Sequence, residues 1–237
     1  MRIGWLSQKP ADIPCTDEWL SDGERKHFAD LNSPKRRNDW RLGRWTAKRL
    51  VTSFLGTPAS VSQLAELEIR PAADGAPEVF LGGVAVPVSL SISHSNNTSL
   101  CAVGRSPLTV GCDIESVMPR DPVFVQDYFT AEEIELLRQA AQARQDALIT
   151  LIWSAKESAL KVLREGLRLD TRSVVVSINP DPQRQGWDSL AVRCIGPART
   201  FSGWWRILGD HVLCVVADRP SMQPREVSPS LNSLEIL

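Results

Sequence analysis

Twice along this chain a block of helical pattern gives way to a run of short strands. The longest helical stretch, PKRRNDWRLGRWTAKRLVTSFLG, starts at Pro34 and stops at Gly56. Within it Trp40, Ala47, Leu50, Val51 and Phe54 recur at helical spacing and face a core. A polar helix over 17–31 precedes it. Short strands follow at 66–70, 87–93, 99–104 and 108–115, with NNTS (96–99) as a hairpin turn. The second block opens at Thr130, which stands three residues before Glu133 at capping-box spacing. A helix over 145–164 comes next, with Leu148, Ile152, Ala155, Ala159 and Val162 along one side. Strands return at 173–178, 189–195, 201–207 and 211–217. The order implies an α+β protein of two similar halves, expected at 1–106 and 107–219. The pentapeptides SLCAV (99–103) and VLCVV (212–216) echo each other as the last hairpin strand of each half. A Ser- and Pro-rich tail over 220–237 is expected to trail along the surface.

The second helix carries the chemistry. In WSAKESALK (153–161), Glu157 and Lys161 lie four residues apart and share a helix face. In VGCDIE (110–115), Asp113 and Glu115 lie two apart and share a strand face. Taken singly, the first pair could be a surface ion pair and the second the solvated face of an edge strand. Taken together they offer three carboxylates and an ammonium. If the strand meets the helix, they form a hard-oxygen metal site beside a cation, which is the equipment of phosphoryl chemistry. A basic stripe, Arg37, Arg41, Arg44 and Lys48, runs along the first long helix at i, i+4, i+7 and i+11. It is either a solvated face or an anion-binding one.

Composition removes other classes. A formal net charge of −1 gives no field that favours nucleic acid. No stretch approaches the ~20 apolar residues of a membrane span, and the first ten residues lack a signal-peptide core. The five cysteines are odd in number, scattered and without CxxC spacing, which suits free thiols in a reducing cytoplasm. With three histidines in the chain, oxygen ligands are favoured over a histidine-rich metal site.

These motifs, in this order, resemble the Sfp-type (surfactin-type) 4′-phosphopantetheinyl transferases. The family's G-x-D-x-E strand is matched by Gly111, Asp113 and Glu115. Its W-S-x-K-E-x-x-x-K helix is matched by Trp153, Ser154, Lys156, Glu157 and Lys161. Upstream, Ser91-Ile-Ser93-His94 matches S-x-S-H, Arg37 with Gly43-Arg44 matches R-x-x-x-x-x-G-R, and Phe129-Thr130-Ala-Glu132-Glu133 matches F-[ST]-x-x-E. The likeness covers residues 2–218. Two departures stand out. The family's G-K-P lysine is missing from Gly75-Ala76-Pro77, and Arg164 replaces the first of two glycines after the helix.

The resemblance implies two halves related by pseudo-two-fold symmetry. It also implies transfer of the phosphopantetheine arm of coenzyme A to a carrier-protein serine. Asp113, Glu115 and Glu157 would hold Mg²⁺, with Mn²⁺ a substitute. Glu157 would take the serine proton and Lys161 would neutralise the transferred phosphoryl group, with Lys156 assisting. His94, with Ser93, would meet the 3′-phosphate of CoA, and Arg37, Arg44 and Lys48 would supply further phosphate contacts. The N-terminal half would clamp the nucleotide, and the C-terminal half would carry metal and catalytic helix. The expected partners are CoA and an apo acyl or peptidyl carrier protein, with neither nucleic acid nor membrane, for a cytoplasmic monomer. Two other readings use the same residues: a CoA-binding module without activity, and a metal-dependent CoA pyrophosphatase. Between the motifs, residues 118–129 lack a clear period. They would be either core or, through Phe124 and nearby Arg120, a carrier-docking surface.

Overall fold

A computed structural model describes residues 1–57, 60–178, 186–195 and 199–228. The chain divides into two compact units, one of residues 2–107 with the chain from Arg225, the other of 108–224 with Met1. Both mix helices with antiparallel sheet, so the class is α+β.

The N-terminal unit contains β1 (Ile3–Gln8), α1 (Asp22–Asp30), α2 (Pro34–Leu55), β2 (Leu67–Pro71), β3 (Pro77–Leu81), β4 (Val84–Ala85), β5 (Val88–Ser95) and β6 (Thr98–Arg105). Helix α2 has Pro34 in its first turn under a Ser33 cap, and Gly56 ends it at φ +73°, a left-handed conformation that glycine adopts without a Cβ penalty. Its buried residues Ala47, Leu50 and Val51 pack with Leu6, Leu90, Cys101 and Val103 from β1, β5 and β6. Asn96 and Asn97 both take positive φ, 44° and 58°, as the two-residue turn joining β5 to β6 requires. Helix α1 starts at Asp22, later than expected, because Ser21 and Glu24 form a capping box there.

The C-terminal unit contains β7 (Val110–Ser116), α3 (Pro122–Tyr128), α4 (Ala131–Gln139), α5 (Gln142–Leu163), β8 (Val174–Ile178), β9 (Asp188–Cys194), β10 (Arg199–Leu208) and β11 (His211–Ala217). The sheet order is β7-β11-β10-β9-β8, antiparallel throughout. Ile152, Ala155, Ala159 and Leu160 of α5 are buried in one core with Val212, Cys214 and Val216 of β11. Arg164, which stands where the family has glycine, still ends α5 in a left-handed conformation at φ +60°. The segment expected to lack a period folds as α3, capped by Asp121. The tail does not simply trail: β12 (Arg225–Glu226) adds to β1 in parallel, Gly4 opposite Arg225 and Trp5 opposite Glu226. Residues 229–237 of that tail lie outside the described residues.

The same internal clamp occurs in each unit. In the N-terminal unit, Glu24 is the third residue of α1. Its Oε2 accepts from the Ser21 amide and its Oε1 from the Ile69 amide of β2. Lys48 of α2 reaches that carboxylate at 2.5 Å and also donates to the Trp19 and Leu64 carbonyls. In the C-terminal unit, Glu133 is the third residue of α4. It accepts from the Thr130 amide and from the Val176 amide of β8. Lys156 of α5 reaches it at 2.9 Å and donates to the Thr171 and Val174 carbonyls. All four charged side chains are essentially fully buried. Each clamp ties a helix start, a long helix and a strand together through one desolvated ion pair whose remaining protons and lone pairs are met by backbone.

Candidate active site

Gly111 decides how β7 and α5 meet. A β-carbon there would be driven into the Ser158 carbonyl oxygen of α5 and would lie 3.1 Å from Cβ of Lys161. The helix backbone therefore lies directly against the strand at the first residue of the G-x-D-x-E motif. Asp113 and Glu115 follow at i+2 and i+4 of the strand, and Glu157 and Lys161 lie one turn apart on the helix. The strand–helix meeting that the sequence required is present.

The Lys161 ammonium donates to Asp113 Oδ1 and to the Cys112 carbonyl, each at 2.9 Å. Asp113 is 6% exposed and Lys161 29% at the side chain. Burial works against the Lys161 charge, but Asp113, Cys112 and Glu157 outweigh it, and its pKa stays above the ordinary lysine value. Burial, and then the Asp113 charge, lifts Glu157 above the usual carboxylate range, with Lys161 opposing and Glu115 adding to the rise. Glu115 is lifted in the same way by burial and Asp113. Arg120 and hydrogen bonds from Arg120 and Trp153 pull it back. The Arg120 guanidinium lies 3.1 Å from Glu115 Oε2.

Burial and the neighbouring Asp113 charge thus make Glu115 and Glu157 hold protons more tightly, which is how a cation-binding set behaves without its cation. Among the described residues, no three Asp, Glu, His or Cys side chains close around one point as metal ligands. The reason is local: Asp113 is drawn onto Lys161 and Glu115 onto Arg120. The donor chemistry, all oxygen and all anionic, fits a hard divalent cation.

The remaining candidates separate into two groups. Lys48 and Lys156, expected at phosphate, do not point to a ligand. Each has zero exposure, and each ammonium, with three N–H donors, already faces a carboxylate and two carbonyls. They are the cations of the two clamps, and that correction leaves Lys161 as the lysine of the site.

His94, at the end of β5, is half exposed, with Nδ1 3.9 Å from Asp39 Oδ2. Ser93 beside it is buried. Arg37 lies over the Phe28 ring at 4.5 Å and Arg44 over Trp40 at 5.0 Å. Arg44 Nε is buried with no hydrogen-bond partner among the described residues, and burial lowers the Arg44 pKa against the pull of Glu24. Arg41, in the same stripe, is taken by Asp17 and the Pro14 carbonyl. His94, Ser93, Arg37 and Arg44 belong to the N-terminal unit, and the carboxylates with Lys161 to the C-terminal one.

Two residues touch Glu115 that the sequence did not place at the carboxylates. Trp153 opens the helical motif and Arg120 follows the strand motif by five residues, and both bond Glu115. Arg120 also covers the Phe124 ring at 5.3 Å, and Phe124 packs with Tyr128, Phe129 and Trp153.

Residues 109–215, which contain β7, α5 and every carboxylate of this site, match the model of the 4′-phosphopantetheinyl transferase superfamily. That part of the chain, a little under half of it, is similar to that superfamily. Curated proteins similar to this chain are named as 4′-phosphopantetheinyl transferases. It is 31% identical over 93 residues to the 4′-phosphopantetheinyl transferase psf-1 of Bacillus pumilus, covering 39% of each chain. It is 29% identical over 92 residues to that named gsp of Aneurinibacillus migulanus, covering 39% of this chain and 38% of the relative. It is 26% identical over 173 residues to Sfp of Bacillus subtilis strain 168, covering 70% and 75%. The alignments with psf-1 and gsp thus span about two-fifths of those relatives' length.

Proposed function

We propose that this chain transfers the 4′-phosphopantetheine arm of coenzyme A to a serine hydroxyl of an apo acyl or peptidyl carrier protein, releasing adenosine 3′,5′-bisphosphate. The observation that carries the reading is Lys161 bonded to Asp113 beside a Glu157 whose proton affinity is raised, all within the segment that matches the superfamily. The names of the similar proteins point the same way.

Asp113, Glu115 and Glu157 would hold Mg²⁺, or Mn²⁺ in its place, and the bound ion would supply charge neutralisation at the pyrophosphate. Glu157 receives the proton of the attacking serine. Lys161 has three N–H donors, two of them committed to Cys112 and Asp113, and offers the third to an oxygen of the transferred phosphoryl group. Asp113 holds that ammonium in place. In the N-terminal unit, His94 with Ser93 takes the 3′-phosphate of CoA, and Arg37 and Arg44 take further phosphate oxygens. The buried, unmatched Nε of Arg44 supports that role. Met118, Val123 and Tyr128, apolar and exposed around Phe124, offer the carrier a contact surface next to Glu115. The free cysteines fit a cytoplasmic protein, working on this reading as a monomer.

Incubation with CoA and Mg²⁺, with and without an apo carrier, tests the proposal. Bisphosphate release that requires carrier, with the matching mass gain on the carrier, is the expected result. Release without carrier would make the protein a pyrophosphatase. No release with any carrier of a broad panel would make it a binding module.

A further inference from the structure

The C-terminal unit contains a cavity whose lining includes none of the three carboxylates and that the proposed reaction does not use. It measures about 540 Å³, within the usual range of ligand pockets. Its walls come from the end of α4, the start of α5 and the outer strands of the sheet. They are almost wholly apolar: Leu136, Ala147, Leu148, Leu151, Ile178 and Ile207 carry most of the surface.

Three residues with polar groups line that wall. Trp205 is 94% buried by its 6% exposure, and its indole N–H has no hydrogen-bond partner among the described residues. A buried donor without an acceptor is costly, and native structures seldom retain one without use. Arg144 lines the same cavity and is exposed. Its guanidinium forms no ion pair among the described residues, although the acids Glu132, Glu135 and Asp170 each have an arginine partner. The third polar residue, Gln139, already donates its amide to Glu135.

An apolar chamber with an arginine free of ion pairs on its lining asks for a particular shape of ligand: a hydrocarbon chain ending in an oxygen anion. We infer that this cavity is a binding site for a medium-chain alkyl carboxylate, with the carboxylate at Arg144 and the chain along Leu136, Leu148 and Leu151. The site stands on the first three turns of α5 and their neighbours. Glu157 and Lys161 lie further along the same helix.

Calorimetric titration of the full chain with decanoate, below its micelle-forming concentration, is the test, with 1-decanol as the neutral counterpart. Decanoate should bind at one site and raise Tm. Arg144→Ala should weaken it roughly tenfold or more, the loss of one charged hydrogen bond. Decanol should bind more weakly than decanoate to the wild type and equally to wild type and Arg144→Ala. Ala147→Trp, which fills the chamber, should abolish binding while circular dichroism stays native. Should that variant not fold, Leu151→Phe serves as the filling substitution. No decanoate binding to the wild type would overturn the inference, as would binding that survives filling or decanol binding as tight as decanoate.

Discussion

The two units share a scaffold and differ in what they place on it. Each has a 22-residue helix with a lysine at its fifteenth position, Lys48 in α2 and Lys156 in α5. Each lysine is clamped to a capping-box glutamate at the third position of a shorter helix, Glu24 or Glu133. Each unit opens with a strand carrying glycine at its second position, Gly4 of β1 and Gly111 of β7. Counting on from those glycines, Leu6 and Gln8 stand where the C-terminal unit has Asp113 and Glu115. Counting on from the lysines, Arg49 and Ser53 stand where it has Glu157 and Lys161. The clamp is what two folds need in common. The four residues that differ are the ones on which the proposed chemistry rests.

The largest effect should come from breaking a clamp. Lys48→Ala or Lys156→Ala leaves a buried carboxylate without its cation, which costs about 3–5 kcal/mol. Chemical denaturation should register the loss for both. Replacing both partners in either unit, Glu24→Gln with Lys48→Met or Glu133→Gln with Lys156→Met, should recover much of it. If Lys156→Ala instead left stability intact and raised KM for CoA, Lys156 would be a ligand contact and the parallel between the units would fail.

Next come the glycines. Gly111→Ala drives a methyl into the helix backbone at Ser158, which cannot swing aside, and should cost at the upper end of about 1–3 kcal/mol. Gly4→Ala meets the ends of the Phe54 and Val227 side chains, which can move. It should cost less in the same denaturation experiment. Equal costs would mean that the close approach of β7 to α5 is not special to the C-terminal unit.

These substitutions bear on what could be read before the fold was known. The α2 boundaries, the Asn96–Asn97 turn and the α5 motif were legible because proline, glycine, asparagine pairs and i,i+4 spacing act locally. The clamps were not. A helical lysine looks solvated in sequence, and its burial depends on a glutamate more than twenty residues away and on strand amides further on. The capping box at Thr130 and Glu133 was visible, but its glutamate's second oxygen goes to Val176, a contact only tertiary structure supplies. Helix α3 escaped because Val123, Phe124 and Val125 are consecutive and only seven residues are helical, too few for a period. Strand β3 is a short strand with no alternation to betray it.

A smaller effect separates the units by ligand. His94→Ala should weaken CoA by roughly ten- to a hundredfold, the worth of one charged hydrogen bond of about 1.5–3 kcal/mol. Replacing CoA with 3′-dephospho-CoA should do the same. The two losses should not add, because they remove one contact. Additive losses would take His94 off the 3′-phosphate.

Smallest is a pH effect confined to the C-terminal unit. Glu157 and Glu115 have pKa values raised on folding, so the native state binds more protons than the unfolded chain. Their contribution to stability is then fully present below the ordinary glutamate pKa and is lost as pH rises through the raised values. Glu157→Gln should therefore raise Tm slightly at neutral pH, and the difference should vanish in acid. A Tm lowered at neutral pH would mean that Glu157 is stabilised as an anion.

The central claim, that the shared scaffold carries the fold while Asp113, Glu157 and Lys161 carry the reaction, is tested most directly at matched helix positions. The measurement is the rate of phosphopantetheine transfer from CoA to an apo carrier by Glu157→Gln and by Arg49→Gln, with circular dichroism confirming that both fold. The expected result is loss of turnover in Glu157→Gln and turnover near the wild-type rate in Arg49→Gln. Wild-type turnover in Glu157→Gln would contradict the account.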